Sequence, residues 1–134
     1  IIAGESLGGR IATIAAAIDR NIGGVLIISS SGFDFKDKGD KNKDRFIKSI
    51  DSDHYIDLIT PRKIVMVHSI NDSIIPLGSA INTFSKAQEP KQFLLVNDTS
   101  CKHGYCEAMW QSLVEALDYL VGIESRNPSP AAAE

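Results

Sequence analysis

Four short apolar runs alternate with segments of helical periodicity along the chain. Each run is rich in branched or large apolar residues and is followed by polar turn residues; the runs comprise residues 1–3, 24–28, 63–67 and 92–96. Strands that are apolar along nearly their whole length are typical of a parallel sheet covered on both faces. The pattern therefore predicts four buried parallel strands.

Helical periodicity between and after these runs predicts four helices, at residues 7–20, 45–58, 76–87 and 105–121. Strand–helix–strand units in one sheet have right-handed crossovers. If the strands lie side by side in chain order, the three connecting helices share one face and only the last helix covers the other. The predicted fold class is therefore α/β, a mostly parallel sheet with helices on both faces.

The ends of the chain differ from its middle. Residues 1–122 read as one domain, whereas residues 123–134 contain two prolines and an alanine run and are predicted to be a disordered tail. The chain opens in mid-strand, so we expect further strands upstream. Without them, we expect the isolated chain to associate or fold poorly, because its apolar strands would lack cover.

Composition narrows the possible partners. A net charge of −3 gives no electrostatic reason to expect nucleic acid or an anionic membrane, and no apolar stretch approaches the ~20 residues that span a bilayer. Two cysteines are too few to suggest a disulfide framework. The low cysteine count makes a cytoplasmic location the default expectation.

The most informative motif follows the first strand. Gly4-Glu5-Ser6-Leu7-Gly8 matches the G-x-S-x-G pattern, in which a serine occupies a sharp strand-to-helix turn. Small residues on either side would relieve crowding in that turn. The Leu7 N–H would then point to where a substrate oxyanion forms. The motif also occurs by chance, and the alternative is a serine that merely caps a helix.

Two further candidates follow later strands. Asp72 lies in the turn after the third run, and His103 lies between the fourth run and the last helix. Parallel sheets bind ligands at the carboxyl ends of their strands. Ser6, Asp72 and His103 could therefore meet at this edge as nucleophile, acid and base. They follow successive strand ends in the order that is typical of a serine on such a strand-to-helix turn.

Other residues have competing interpretations. Asp98 is the second candidate for the acid, although a turn residue is the simpler interpretation. His68 could line a pocket or hold its own turn, and Glu5 is expected to form a local hydrogen bond. Cys101, His103 and Cys106 could ligate a metal, but zinc needs three or four well-placed ligands and no fourth is evident. We therefore expect no metal and no organic cofactor.

The motifs resemble those of the α/β-hydrolase superfamily, and most closely its small members of the dienelactone-hydrolase, esterase and acyl-peptidase type. The resemblance extends to about residue 122 and implies that the four runs are the last four strands of that fold. It also implies that a second oxyanion donor comes from an upstream loop and that no large cap follows residue 32. The segments that carry it are Gly4-Glu5-Ser6-Leu7-Gly8-Gly9, His68-Ser69-Ile70-Asn71-Asp72 with Ile75-Pro76, and Lys102-His103-Gly104.

The function implied is a serine hydrolase that cleaves a carboxylic ester or related acyl bond of a small molecule through an acyl-enzyme. Catalytic roles fall to Ser6, Asp72 and His103, with Leu7 in the oxyanion hole. Two alternatives stay open: an acyltransferase that uses the same three residues, and a non-catalytic binding domain that retains the fold.

Overall fold

The computed structural model describes residues 1–33 and 39–122, so the predicted tail at residues 123–134 lies outside the described residues. The strands are β1 (Ile2–Glu5), β2 (Gly24–Ile28), β3 (Lys63–Ser69) and β4 (Lys91–Val96). The α-helices are α1 (Leu7–Ile18), α2 (Lys41–Ser49), α3 (Leu77–Ser85) and α4 (Trp110–Val121). Short 3₁₀ helices occupy Ser52–His54, Ile56–Ile59 and Glu107–Met109.

The four strands form one parallel sheet in the order β1-β2-β3-β4. Val25 pairs with Ile2 on one side and with Ile64 on the other, and Ile64 in turn pairs with Lys91. The prediction of a mostly parallel sheet is confirmed, and its strands lie side by side in chain order. All four strands therefore end at the same edge, where the loops that follow them meet.

Alternate residues of the central strands face opposite sides of the sheet and form two apolar cores. On one side, Val25 and Ile27 pack with Ala12 and Ala16 of α1. On the other, Leu26 packs with residues of α4 and the segment before it. The second core comprises Leu26, Val65, Val67, Val96, Cys101, Met109, Ala116 and Leu120. Helices cover both faces, which confirms the predicted fold class.

The helix predicted at residues 45–58 is wrong in its bounds: the α-helix ends at Ser49, and two 3₁₀ helices take the place of its second half. α2 begins at Lys41, because the Asp40 carboxylate accepts hydrogen bonds from two N–H groups of its first turn. The chain then turns at Asp51, whose carboxylate accepts from the N–H groups of Asp53 and Phe33. The 3₁₀ helix Ile56–Ile59 covers the sheet instead, with Ile56 and Ile59 completely buried.

The last helix also begins later than predicted, at Trp110 instead of residue 105. A disulfide between Cys101 and Cys106 closes the preceding loop, and a 3₁₀ turn follows it. The two cysteines, which did not suggest a disulfide framework, are thus bonded to each other. Their sulfur atoms are not available as thiolate ligands, which removes the metal-site interpretation of Cys101, His103 and Cys106.

Basic side chains at the amino-terminal ends of β3 and β4 cap three helices. Arg62 donates to the carbonyls of Ala16 and Asp19 at the end of α1. Lys63 donates to the Tyr119 carbonyl in the last turn of α4, and Lys91 caps the end of α3 in the same way. These cations satisfy carbonyl groups that helices leave unpaired at their carboxyl ends. None of the helices in residues 1–33 and 39–122 is long and apolar enough to cross a membrane.

Candidate active site

Ser6 occupies a strained turn between β1 and α1. Its backbone angles are φ 52° and ψ −119°, a region that residues other than glycine rarely adopt. Two hydrogen bonds hold it there: its N–H donates to the Ile28 carbonyl at 2.9 Å, and its carbonyl accepts from Ser30 Oγ at 2.7 Å. Strain of this kind persists only where the surrounding structure enforces it, and it concentrates at functional sites.

The glycines around Ser6 have different roles from those that the motif suggested. A Cβ on Gly4 would lie 2.0 Å from the Gly8 carbonyl oxygen, so a side chain is excluded there. A Cβ on Gly8 would contact nothing within 4 Å, whereas one on Gly9 would lie 2.6 Å from Ser30 Cβ. The residues that must be small are therefore Gly4 and Gly9, and Gly8 contributes its backbone.

We expect Gly4→Ala to destabilise the protein by about 3 kcal/mol, because the added methyl group meets rigid backbone. Gly8→Ala, in the same motif, should stay within about 1 kcal/mol of the wild type, because its methyl group enters open space in a helix. Urea unfolding of the two variants checks this. Equal losses of unfolding free energy would show that the close approach of Gly4 to Gly8 does not constrain the turn.

Asp72 is held in the turn after β3 with no side-chain surface exposed to solvent. Its Oδ1 accepts hydrogen bonds from the Ile74 N–H at 2.9 Å and the Ile75 N–H at 2.8 Å. Burial by itself would raise the pKa of this carboxyl group, but these N–H donors and the ring of His103 outweigh it and hold the pKa below its ordinary value. Asp72 is therefore ionised at neutral pH.

His103 joins Asp72 to Ser6. Its Nδ1 lies 3.0 Å from both carboxylate oxygens of Asp72, and its Nε2 lies 2.9 Å from Ser6 Oγ. The carboxylate can only accept, so Nδ1 carries the proton and Nε2 accepts from the Ser6 hydroxyl. The three predicted site residues thus form one hydrogen-bonded row, which can withdraw the proton of Ser6 and stabilise the resulting imidazolium.

The second candidate acid lies elsewhere in the network. The Asp98 carboxylate accepts hydrogen bonds from the N–H and the hydroxyl of Ser100, and these lower the pKa of Asp98. Its backbone carbonyl accepts from Asn71 Nδ2 at 3.0 Å. Asp98 therefore organises its own turn, and Asp72 is the carboxylate in contact with His103.

Hydrogen bonds from the other strand ends hold the loop that carries His103. Ser29, the residue after β2, donates to the Gly104 carbonyl at 3.3 Å. Ser69 at the end of β3 donates to the Cys101 carbonyl at 2.8 Å, and Ser73 donates to that of Lys102 through its N–H and hydroxyl. Ser29 and Ser73 were not predicted to have a role. The one available signal was that hydroxyl residues follow successive apolar runs.

Glu5 provides a further anchor from β1. Its Oε2 accepts a hydrogen bond from the Tyr105 N–H at 3.0 Å, across 100 residues of sequence. Gly104 lies against the same carboxylate with φ +72°, and a Cβ there would lie 2.6 Å from Glu5 Oε1. The expectation of a local hydrogen bond for Glu5 is therefore wrong, because its partner is the loop of His103.

His68 lies completely buried beneath Asp72. Its Nε2 donates to the Ile75 carbonyl at 3.0 Å, and its Nδ1 has no hydrogen-bond partner among the described residues. Burial lowers the pKa of His68, and the nearby His103 lowers it further, whereas the Ile75 carbonyl and Asp72 oppose the shift. His68 is therefore a neutral residue that holds the Asp72 turn, in agreement with the simpler of its two interpretations.

The burial of His68 predicts a pH dependence of stability. The unfolded chain protonates this histidine as the pH falls below its ordinary pKa of 6.5, but the folded chain does so only at lower pH. Stability should therefore decrease as the pH falls through 6.5, by up to about 1.4 kcal/mol per pH unit, until the folded-state pKa is reached. Urea unfolding between pH 5 and 8 measures the slope.

The variant His68→Gln should lose this component of the slope, whatever its stability at pH 8. His54→Gln is the matched control, because His54 is exposed on a 3₁₀ helix. A slope in His68→Gln as steep as that of the wild type would mean that His68 accepts its proton equally well in both states.

Leu7 is the first residue of α1, where backbone N–H groups have no partner within the helix. Its N–H donates to no carbonyl among the described residues. It adjoins Ser6 at the positive end of the helix dipole. This end of α1 can accept a developing negative charge beside the serine hydroxyl.

Solved structures resemble this fold over nearly the whole chain. Est1E from Butyrivibrio proteoclasticus matches with a TM-score of 0.66 and 20% identity, over 90% of this chain and 59% of its own. Acetyl xylan esterase 1 from Thermoanaerobacterium sp. matches with a TM-score of 0.69 and 15% identity, over 88% of this chain and 44% of its own. The α/β hydrolase GrgF from Penicillium sp. matches with a TM-score of 0.62 and 12% identity, over 90% of this chain and 61% of its own.

The chain spans about half the length of these structures. No protein-family model and no curated protein matches the sequence. At these identities the structural matches show the fold alone. The chain therefore has the α/β-hydrolase fold, as the resemblance of its motifs implied.

Proposed function

We propose that this protein is a serine hydrolase that cleaves a carboxylic ester or related acyl bond of a small molecule. The observation that carries the proposal is the hydrogen-bonded row from Ser6 through His103 to Asp72 at the carboxyl edge of the sheet. A strained serine supplies the nucleophile, a histidine with an unprotonated Nε2 supplies the base, and a buried ionised carboxylate orients the histidine. The esterase structures with the same fold are compatible with this assignment.

In the first half of the reaction, Ser6 Oγ forms a bond to the substrate carbonyl carbon as its proton passes to His103 Nε2. The carbonyl oxygen becomes an oxyanion, which the Leu7 N–H at the start of α1 would stabilise. Asp72 stabilises the imidazolium through Nδ1. Collapse of the tetrahedral intermediate expels the alcohol, which takes the proton from Nε2 and leaves an acyl group on Ser6.

The second half repeats these steps with water. His103 Nε2 accepts a proton from a water molecule, and the oxygen of that water attacks the acyl carbon. The Ser6 oxygen then leaves and recovers its proton from Nε2, which releases the carboxylic acid. The arrangement before the reaction supports this order of steps, because Asp72 is ionised and Nε2 accepts a hydrogen bond from the hydroxyl whose proton it would take.

A fluorophosphonate probe tests the proposal directly, because it phosphonylates only serines activated as nucleophiles. We expect one adduct per molecule, and peptide mass spectrometry should locate it on Ser6. Ser6→Ala should not react. An adduct on another residue, or equal labelling of Ser6→Ala, would contradict the assignment, and no labelling at all would favour a binding domain that retains the fold.

A further inference from the structure

The loop that carries His103 is closed covalently. Cys101 and Cys106 are five positions apart and are joined by a disulfide, with His103 between them. Cys101 is only 1% exposed and packs in the second apolar core with Val96 and Met109. One end of the loop is thus fixed in the interior, and the disulfide ties the other end to it.

The loop has little regular structure of its own. Between β4 and the 3₁₀ turn that precedes α4, its backbone is held by hydrogen bonds from other strand ends, and the one from Ser29 is long at 3.3 Å. The Glu5 contact with Tyr105 is exposed to solvent. Hydrogen bonds in exposed segments open readily. The disulfide adds a covalent constraint that closes this loop around His103.

A cross-link around so few residues restricts the unfolded chain less than one that closes a long loop. Its main effect is therefore local, on the segment that it encloses. That segment must place one ring between two partners, Nε2 at 2.9 Å from Ser6 Oγ and Nδ1 at 3.0 Å from Asp72. Small displacements at such a site reduce rates steeply, by about a hundredfold for an error of about 1 Å.

We propose that the Cys101–Cys106 disulfide is a positioning element of the reaction, which keeps His103 aligned between Ser6 and Asp72 and makes turnover depend on thiol redox state. This inference rests on the proposed hydrolase function. Reduction by a dithiol breaks the S–S bond and adds two electrons and two protons to form two thiols, while the dithiol becomes a cyclic disulfide. The loop is then held by its hydrogen bonds and by the packing of Cys101 in the second apolar core, with no covalent link across His103.

The experiment compares the oxidised protein with the same protein kept in dithiothreitol without oxygen. Alkylation of an aliquot followed by mass spectrometry verifies each state. Hydrolysis of a 4-nitrophenyl ester should show kcat lowered about tenfold to hundredfold in the reduced protein, with KM little changed, because the disulfide aligns the base and does not bind substrate. Removal of the dithiol and reoxidation should restore kcat.

Two variants serve as controls. Cys101→Ser combined with Cys106→Ser should have the kcat of the reduced protein and should not respond to dithiothreitol. Ser6→Ala should keep its low residual rate in both redox states, because the alignment of His103 no longer matters. A proton NMR signal from the Nδ1–H of His103, shifted downfield by Asp72, should be sharp in the oxidised protein and broadened in the reduced one.

A kcat within about twofold in the two redox states would overturn the proposal. Loss of cooperative thermal unfolding on reduction would also overturn it, because the disulfide would then be holding the domain and not the histidine. Failure of the underlying function has a different signature. In that case the oxidised protein itself would neither hydrolyse the ester nor react with a fluorophosphonate.

Discussion

Replacing Ser6 by alanine is expected to lower kcat by about 10⁴- to 10⁶-fold. The hydroxyl is the atom that forms the acyl bond in the proposed reaction, and it is the hydrogen-bond partner of His103 Nε2 at 2.9 Å. Without it, only the positive end of α1 and substrate binding remain to accelerate attack by water. His103→Ala should have a similar effect, because without this base the Ser6 hydroxyl has no group to accept its proton.

The double variant of Ser6 and His103 should therefore be no slower than either single variant, which distinguishes a joint role from two independent ones. Ser85→Ala, at an exposed serine that ends α3, is the matched control and should retain full activity. Ester hydrolysis at saturating substrate gives the kcat of these four variants and of the wild type. A Ser6→Ala variant within tenfold of the wild type would show that this serine is not the nucleophile.

Asp72→Asn is expected to lower kcat by about 10⁴-fold while leaving KM and the fold nearly unchanged. The asparagine oxygen can still accept from the Ile74 and Ile75 N–H groups, which now hold Oδ1. Its amide nitrogen would then face His103 Nδ1 with a donor instead of an acceptor. The ring would favour the tautomer with the proton on Nε2, which cannot accept the proton of Ser6.

Asp98→Asn is the matched comparison, since Asp98 also lies in a turn at the same edge of the sheet but interacts with Ser100. Its kcat should remain within a few-fold of the wild type. The dependence of kcat on pH adds a second criterion. Raising the pH should restore the activity of Asp72→Asn only in part. A larger loss in Asp98→Asn than in Asp72→Asn would mean that the acid has been misassigned.

The sequence was most informative where one interaction dominates. The strands of the sheet were predictable because their apolar runs, such as the one from Ile64 to Val67, are buried on both faces. The order of Ser6, Asp72 and His103 predicted their meeting, because parallel strands all end at one edge. The row they form in the structure follows from topology more than from the local sequence around any one of them.

Prediction failed where local side-chain bonds compete with the helical pattern. Between residues 45 and 58 the carboxylate of Asp51 starts a 3₁₀ helix and binds the Phe33 N–H, and periodicity alone does not reveal this. Two anchors of the His103 loop, Ser29 and Glu5, act across 75 and 100 residues, so no short window of sequence contains both partners. The cytoplasmic default rested on a cysteine count and loses that support, because disulfides persist mainly in oxidising compartments.

The basic caps on α1, α3 and α4 have a consequence for how this domain opens. The last turn of a helix normally frays on its own, since its carbonyl groups have no partners within the helix. Here those turns are tied by Arg62, Lys63 and Lys91 to the first residues of β3 and β4. A helix end can loosen here only if its carbonyl groups first give up these hydrogen bonds. The amide protons at the edge opposite Ser6 should therefore exchange more slowly than those of helix ends that have no such caps.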